Sequence, residues 1–236
     1  MHGEIPGQVS HHQSVVYGKN MYLIGGTMNG RDYVCSQMSR LDLQTLNWDV
    51  IQTRGSAEMP NCMDEHSACS ENGKVYTFGG FEDGERVNTV HTFDLETHTW
   101  ATITPIAAAN APAPKPRAGH TASLYQGSLY IFGGKDDENE KLNDMWKFDI
   151  AAKTWSKIVS ENKDTVPSPR SGHTATLFQG YICVFGGIFE VTKELNDVHL
   201  FDIEGNRWIC LFSANNEPGS AQSPTKAMAS GNASPL

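Results

Sequence analysis

The side chains most able to do chemistry in this 236-residue chain are nine histidines, five cysteines, and arginines and carboxylates gathered in a few short stretches. Four histidines, His12, His66, His120 and His173, share one register, each 13 residues ahead of a Gly-Gly pair. Equivalent imidazoles invite a metal-site reading, since imidazole nitrogen binds zinc and other transition metals. The simpler expectation is one satisfied hydrogen bond per histidine, with no metal and no cofactor. The remaining histidines, His2, His11, His91, His98 and His199, show no ligand spacing. Cys35, Cys62, Cys69, Cys183 and Cys210 form no C-x-x-C pair, and their odd number speaks against a full disulfide set. They read as reduced, small apolar residues. Without a Gly-x-Ser-x-Gly, P-loop or His-Glu-x-x-His motif, no catalytic residue is assigned and the chain is expected not to be an enzyme.

Binding chemistry is a better match for the rest. Arg117 and Arg170, the latter followed by Ser171, carry the planar fork that grips carboxylates with two hydrogen bonds. They are expected either to face a partner or to pair with Asp144 or Asp197 of an adjacent repeat's loop. The acidic stretch from Lys135 to Lys141 places Lys141 where a calcium loop needs Gly, so Asp136 and Asp137 read as part of a solvated loop. With Glu82 and Asp83 on the equivalent earlier loop, they form a candidate acidic rim for a basic peptide.

These residues are positioned by an internal repeat. Gly-Gly pairs fall at Gly25-Gly26, Gly79-Gly80, Gly133-Gly134 and Gly186-Gly187, at steps of 54, 54 and 53 residues. Downstream of each comes an Asp between two apolar residues, Asp42, Asp94, Asp149 and Asp202, and six residues later a Trp: Trp48, Trp100, Trp155 and Trp208. A period in the range of roughly 20–50 residues marks a stacked repeat architecture. Each copy holds four short β-rich runs separated by turns, with no helical periodicity between them. Every copy is therefore predicted to be a four-stranded antiparallel meander. The Gly pair is expected to supply positive φ and close sheet approach, the Asp to accept turn N–H groups, and the Trp to fill the space between sheets.

Those features resemble the kelch repeat: a His-Thr-Ala strand, Gly-Gly after an apolar strand, Asn-Asp before the third strand, then Phe-Asp and Trp. Copies three and four match best, as Pro116-Arg117-Ala118-Gly119-His120-Thr121-Ala122 and Pro169-Arg170-Ser171-Gly172-His173-Thr174-Ala175, followed by Asn143-Asp144 and Asn196-Asp197. Copies one and two have Val9 and Met63 in place of Arg, and Ser36 or Asn88 without the following Asp. The resemblance implies an all-β protein built of β-propeller blades, at about residues 8–52, 62–104, 116–159 and 169–212. It also implies that loops ahead of the first strand, with Arg117, Arg170 and Ser171, face a partner in the channel mouth. The few kelch-type enzymes that carry an iron site use Glu-x-x-x-Asp-x-x-x-His, which is missing here, as Thr89, Leu142 and Val198 stand four residues after Glu85, Glu138 and Glu194.

Kelch propellers more often have six or seven blades, so four leave a closed four-bladed ring, an open arc or a shortened product, and the incomplete or open ring, with self-association through exposed end blades, is the one expected. Residues 213–236, rich in Ser, Ala, Asn, Gly and Pro, read as a flexible tail. Blades beginning near residue 8 leave no room for a BTB or F-box domain, so a ligase-adaptor role would need a separate partner. A net charge of −9 argues against nucleic acid and anionic membranes. No apolar run approaches the roughly 20 residues of a membrane helix, and residues 1–9 lack signal-peptide character. The expectation is an intracellular, cytoplasmic, non-catalytic scaffold or adaptor binding a protein or peptide. A metal-dependent enzyme and a shortened self-associating fragment are the alternatives.

Overall fold

A computed structural model describes residues 2–28, 31–32, 37–54, 60, 62–106 and 112–213, with the side chains of 31, 32 and 37 excepted. Cys35, Ser36, residues 107–111 and the 214–236 segment lie outside them.

Strand formation follows from two-residue periodicity. In blade 3 the second strand Ser128–Phe132 turns Leu129 and Ile131 toward blade 2, and Tyr130 and Phe132 toward blade 4. Buried on both faces, it has no room for a solvated polar face, which is why it reads as an apolar run. Its partners are Thr121–Tyr125 on one side and Met145–Asp149 on the other, with Thr154–Ile158 outermost. Blade 2 repeats that order with Ser67–Glu71, Lys74–Phe78, Val90–Asp94 and Thr99–Ile103, and blade 4 with Thr174–Phe178, Tyr181–Phe185, Val198–Asp202 and Arg207–Phe212. Blade 1 has Gln13–Tyr17, Asn20–Ile24, Gln37–Asp42 and Asn47–Gln52, plus a short parallel strand, His2–Gly3, on its outer edge.

Tight turns hold these meanders in register. Asn72-Gly73, Gln126-Gly127 and Gln179-Gly180 all have positive φ at both residues, the twist that suits a two-residue hairpin. At the next turn, Asp42, Asp94, Asp149 and Asp202 each accept a backbone N–H two or three residues on, at 2.8–3.0 Å.

The blades stand side by side, first strands innermost, and three apolar seams fill the spaces between them. In each of two seams, one phenylalanine is wrapped by the His and Trp of the following blade. Phe78 lies 5.2 Å from His120 and 5.1 Å from Trp155, and Phe132 lies 5.3 Å from His173 and 4.8 Å from Trp208. The ring is not closed. Phe185, the counterpart in blade 4, is 52% exposed, against 1% for Phe78 and Phe132.

The Gly pairs make the seams possible. A Cβ on Gly133, where φ is +65°, would sit 2.8 Å from His173 Cε1 and 2.9 Å from the Arg170 carbonyl oxygen. Gly133→Ala is therefore expected to destabilise the chain by about 2 kcal/mol, from left-handed strain plus the clash. Gly127→Ala is the control, since its turn also has positive φ but nothing lies within 4 Å of a Cβ there. Equal denaturant midpoints for the two variants would show that seam contact contributes nothing.

Candidate partner-binding face

Loops leave the blades on two faces, and the long ones share a face. On it lie the segments preceding each first strand and the hairpins joining second and third strands, such as Phe81–Arg86 and 134–142. The hairpins of blades 2 and 3 touch: Arg86 Nη2 donates to Asn139 Oδ1 at 2.6 Å, while its guanidinium sits over the Phe81 ring.

Among the acidic candidates the structure separates two kinds. Asp136 is buried, held by Lys115 at 2.8 Å, and accepts the Glu140 N–H at 3.1 Å. Burial works against its charge, but the Lys115 and Glu140 hydrogen bonds keep its carboxyl below the usual carboxylate range. Glu82 lies 2.8 Å from His91 Nε2, whose Nδ1 is 3.1 Å from Thr102 Oγ1. Asp136 and Glu82 thus shape their loops, whereas Asp83 and Asp137, with Glu85, Glu138 and Glu140, are exposed.

Arg117 and Arg170 require a correction. Neither faces a partner, since both guanidiniums are wholly buried within their own blade. Arg117 donates to both oxygens of Asp144, at 2.7 and 3.1 Å, and to the Gly133 carbonyl at 3.1 Å. Arg170 does the same with Asp197, at 2.6 and 2.8 Å, and with the Gly186 carbonyl at 2.9 Å. Each loop folds back under the Gly pairs, because the carbonyls of Arg117 and Arg170 accept the N–H of Gly80 and Gly134 from the preceding blade. That draws the side chain inward. Ser171 is also buried, exchanging backbone hydrogen bonds with Ile188.

Three of the four repeat histidines, His66, His120 and His173, enter the seams rather than meeting around an axis, and His12 stands on the leading face of blade 1. His120 Nε2 donates to the Phe78 carbonyl at 3.0 Å and lies 2.9 Å from Ser67 Oγ, and His173 Nε2 is 2.9 Å from Thr121 Oγ1. One hydrogen bond per histidine fails at His66, where neither ring nitrogen has a partner. The indole N–H groups of Trp48 and Trp100 are likewise unpartnered. Desolvation lowers His66 and His173 to about 3 and His120 well below its ordinary value, so all three are neutral. Among the described residues no group of three or more His, Cys, Asp or Glu is arranged to hold a metal.

At the centre of the long-loop face is a concavity of ≈ 360 Å³, bordered by His11, Glu65, Lys135, Gly172 and Ile188. A ladder of backbone hydrogen bonds runs round it: Glu65 N–H to the His11 carbonyl, Gly119 N–H to Glu65, and Gly172 N–H to Gly119, at 3.1, 3.1 and 2.8 Å. The four residues share positive φ, and Glu65 pairs with Lys135 across the blade 2–3 seam at 3.0 Å. The sequence reading missed Glu65 and Lys135. A signal existed, because His11 and Glu65 occupy the register that holds Gly119 and Gly172, where side chains are rarely placed.

A family model described as the KLHDC2/KLHL20/DRC7 Kelch-repeats domain matches the chain twice, over residues 1–112 and 104–234. Human Kelch domain-containing protein 3 is 33% identical over 202 residues, covering 81% of this chain and 51% of the relative, and the Bos taurus protein of that name gives the same figures. Acyl-CoA-binding domain-containing protein 5 of Arabidopsis thaliana is 29% identical over 233 residues, covering 94% of this chain and 34% of the relative. The chain spans about half the length of the first two relatives, and a third of the last.

Proposed function

The chain belongs to the kelch-repeat family, and from that we propose that it is a non-catalytic protein-interaction module whose long-loop face receives a basic peptide segment of a partner. The observation that carries this reading is the grouping of exposed Asp83, Glu85, Asp137, Glu138 and Glu140 on two touching hairpins, while Arg117 and Arg170 beside them are paired internally. Loops on a rigid sheet framework are where binding specificity concentrates. Acidic groups there would speed encounter with a positive segment and reject acidic ones. An acidic sequence with a pI of ≈ 5.4 fits the same partner class and disfavours nucleic acid.

The described residues contain no helix long and apolar enough to cross a membrane, and Cys62, Cys69, Cys183 and Cys210 are free thiols. A reducing compartment such as the cytoplasm suits that state. Within such a compartment the module would act as a scaffold or adaptor.

The test is fluorescence anisotropy of Lys/Arg-rich and Asp/Glu-rich peptides against the chain at low and high salt. Basic peptides are expected to bind with an affinity that falls as salt rises, and Asp137→Lys with Glu138→Lys to weaken them about tenfold. Equal binding of both peptide sets, or no loss in the double variant, would remove the acidic hairpins from the site.

A further inference from the structure

The seams between blades 2 and 3 and between blades 3 and 4 are built from one set of paired features, of which the seam between blades 1 and 2 shares the glycine contact, and blade 4 displays half of that set with no partner among the described residues. The N–H of the second glycine donates to the backbone carbonyl three residues ahead of the next blade's histidine, as Gly26 to Met63, Gly80 to Arg117 and Gly134 to Arg170, at 2.7, 2.8 and 2.8 Å. The asparagine before the third strand donates to the carbonyl of a proline six residues ahead of that histidine, as Asn88 to Pro114 and Asn143 to Pro167, at 2.9 and 3.2 Å. A first-strand hydroxyl meets the histidine Nε2, and the phenylalanine before the Gly pair lies between that His and Trp.

In blade 4 the matching groups are Gly187, Asn196, Thr174 and Phe185, with the Gly172 carbonyl at the end of the backbone ladder. Thr174, Phe178 and Phe185 are exposed, and Asn196 borders an open cavity of ≈ 500 Å³ with Asp197, His199 and Cys210. Built on Gly186, a Cβ would approach only its own blade, whereas on Gly25, Gly79 or Gly133 it would strike the next blade's histidine. Blade 4 therefore ends in a complete but unfilled half-seam.

The chain carries the other half at its opposite end. Pro6, Val9, His11 and His12 stand at the offsets of Pro114, Arg117, Gly119 and His120, and Trp48 lies at the offset of Trp155 to within one residue. The segment is already shaped for the task. His2 N–H bonds to the Leu46 carbonyl as Arg54, Ile106 and Glu161 bond to His98, Lys153 and Asn206, so residues 2–9 follow the path that connectors take onto each later blade. Val9 packs beside Leu23, Leu41 and Trp48, and nearer the axis Val16 is 58% exposed. Residues 214–236 contain no His, Trp or Gly-Gly pair, so they do not carry this half.

We propose that the open face of blade 4 docks blade 1 of a second copy of this chain, head to tail, with Pro6, Val9, His12 and Trp48 of that copy seating on Asn196, Gly187, Thr174 and Phe185. The contact is heterologous, using two different faces, and repeats a seam the chain already makes twice, between blades 2 and 3 and between blades 3 and 4. It is independent of the peptide-binding reading.

The test exploits that polarity. Phe185→Asp blocks the tail and Val16→Asp blocks the head, both at exposed positions where folding tolerates charge. Masses by light scattering are read from about 1 to about 100 µM, with a melting curve for each variant to show that it is folded. The wild-type chain is expected as dimers or longer assemblies, each variant alone as a monomer, and an equimolar mixture of the two as a one-to-one dimer. A monomeric wild type at the highest concentration overturns the proposal and leaves the face to a different chain. So does a variant that self-associates like wild type, or a folded mixture that stays monomeric.

Discussion

Arg170→Ala is expected to cost the chain about 3–5 kcal/mol, the range for breaking a buried ion pair by removing one partner. The guanidinium is 0% exposed and donates to Asp197, to the Gly186 and Ser168 carbonyls, and to Ser168 Oγ. Truncation leaves a largely buried carboxylate with only His199, 3.0 Å from Asp197 Oδ2. Burial alone would raise the Asp197 carboxyl, and it is the hydrogen bonds from Arg170 and His199 that hold it below the usual carboxylate range. Without Arg170 it should take up a proton nearer neutral pH, and the Gly186 carbonyl loses its donor. Arg117→Ala should behave alike through Asp144, which also receives the Trp146 indole N–H at 2.6 Å. Urea midpoints with an unchanged slope are the measurement. A loss under about 1 kcal/mol, with clearly weakened partner binding, would return these arginines to the surface role their residue type suggests.

That pairing was legible in the sequence in a form that residue chemistry alone obscures. Arg117 and Arg170 occur in the two copies that have Asp144 and Asp197, and copies one and two lack both the Arg and the Asp. Residues present and absent together across internal repeats are a contact signal. The arginine fork as a recognition device points outward, whereas the shared register points inward, to the pairing with Asp144 and Asp197 that was the other expectation. The strand order and the Asp turns were readable for the opposite reason: a two-residue period and a short-range cap are local, and no distant contact is needed to make them. The wrapping of Phe78 and Phe132 by two side chains of the next blade was not readable, because nothing within one copy says which face of the Gly-Gly strand meets which neighbour. Glu65 with Lys135 escaped for the same reason, being one ion pair between two copies that differ at both positions.

Acid should unfold this chain steeply, starting well above the carboxylate range. His66, His120 and His173 are neutral in the folded state because burial strips their solvation, and nearby positive or imidazole groups add to it: His12 and His91 beside His66, Arg117 beside His120, and Arg170 beside His173. Unfolded, each binds a proton near pH 6.5. Between there and the folded values, about 3 for His66 and His173, the unfolded chain holds more protons than the native one. Stability is therefore fully present above about pH 6.5 and is lost as pH falls, at roughly 1 kcal/mol per pH unit for each histidine. Asp144 and Asp197, held low in the folded state, add loss of the same sign at more acidic pH. His66 isolates the effect, since neither of its nitrogens makes a hydrogen bond that substitution would break. His66→Leu should leave the chain near its original stability at pH 8 and shed roughly 1 kcal/mol per pH unit of the slope between pH 6 and 4. An unchanged slope would mean that His66 takes up no proton on unfolding in that window, and that the seam between blades 1 and 2 admits water.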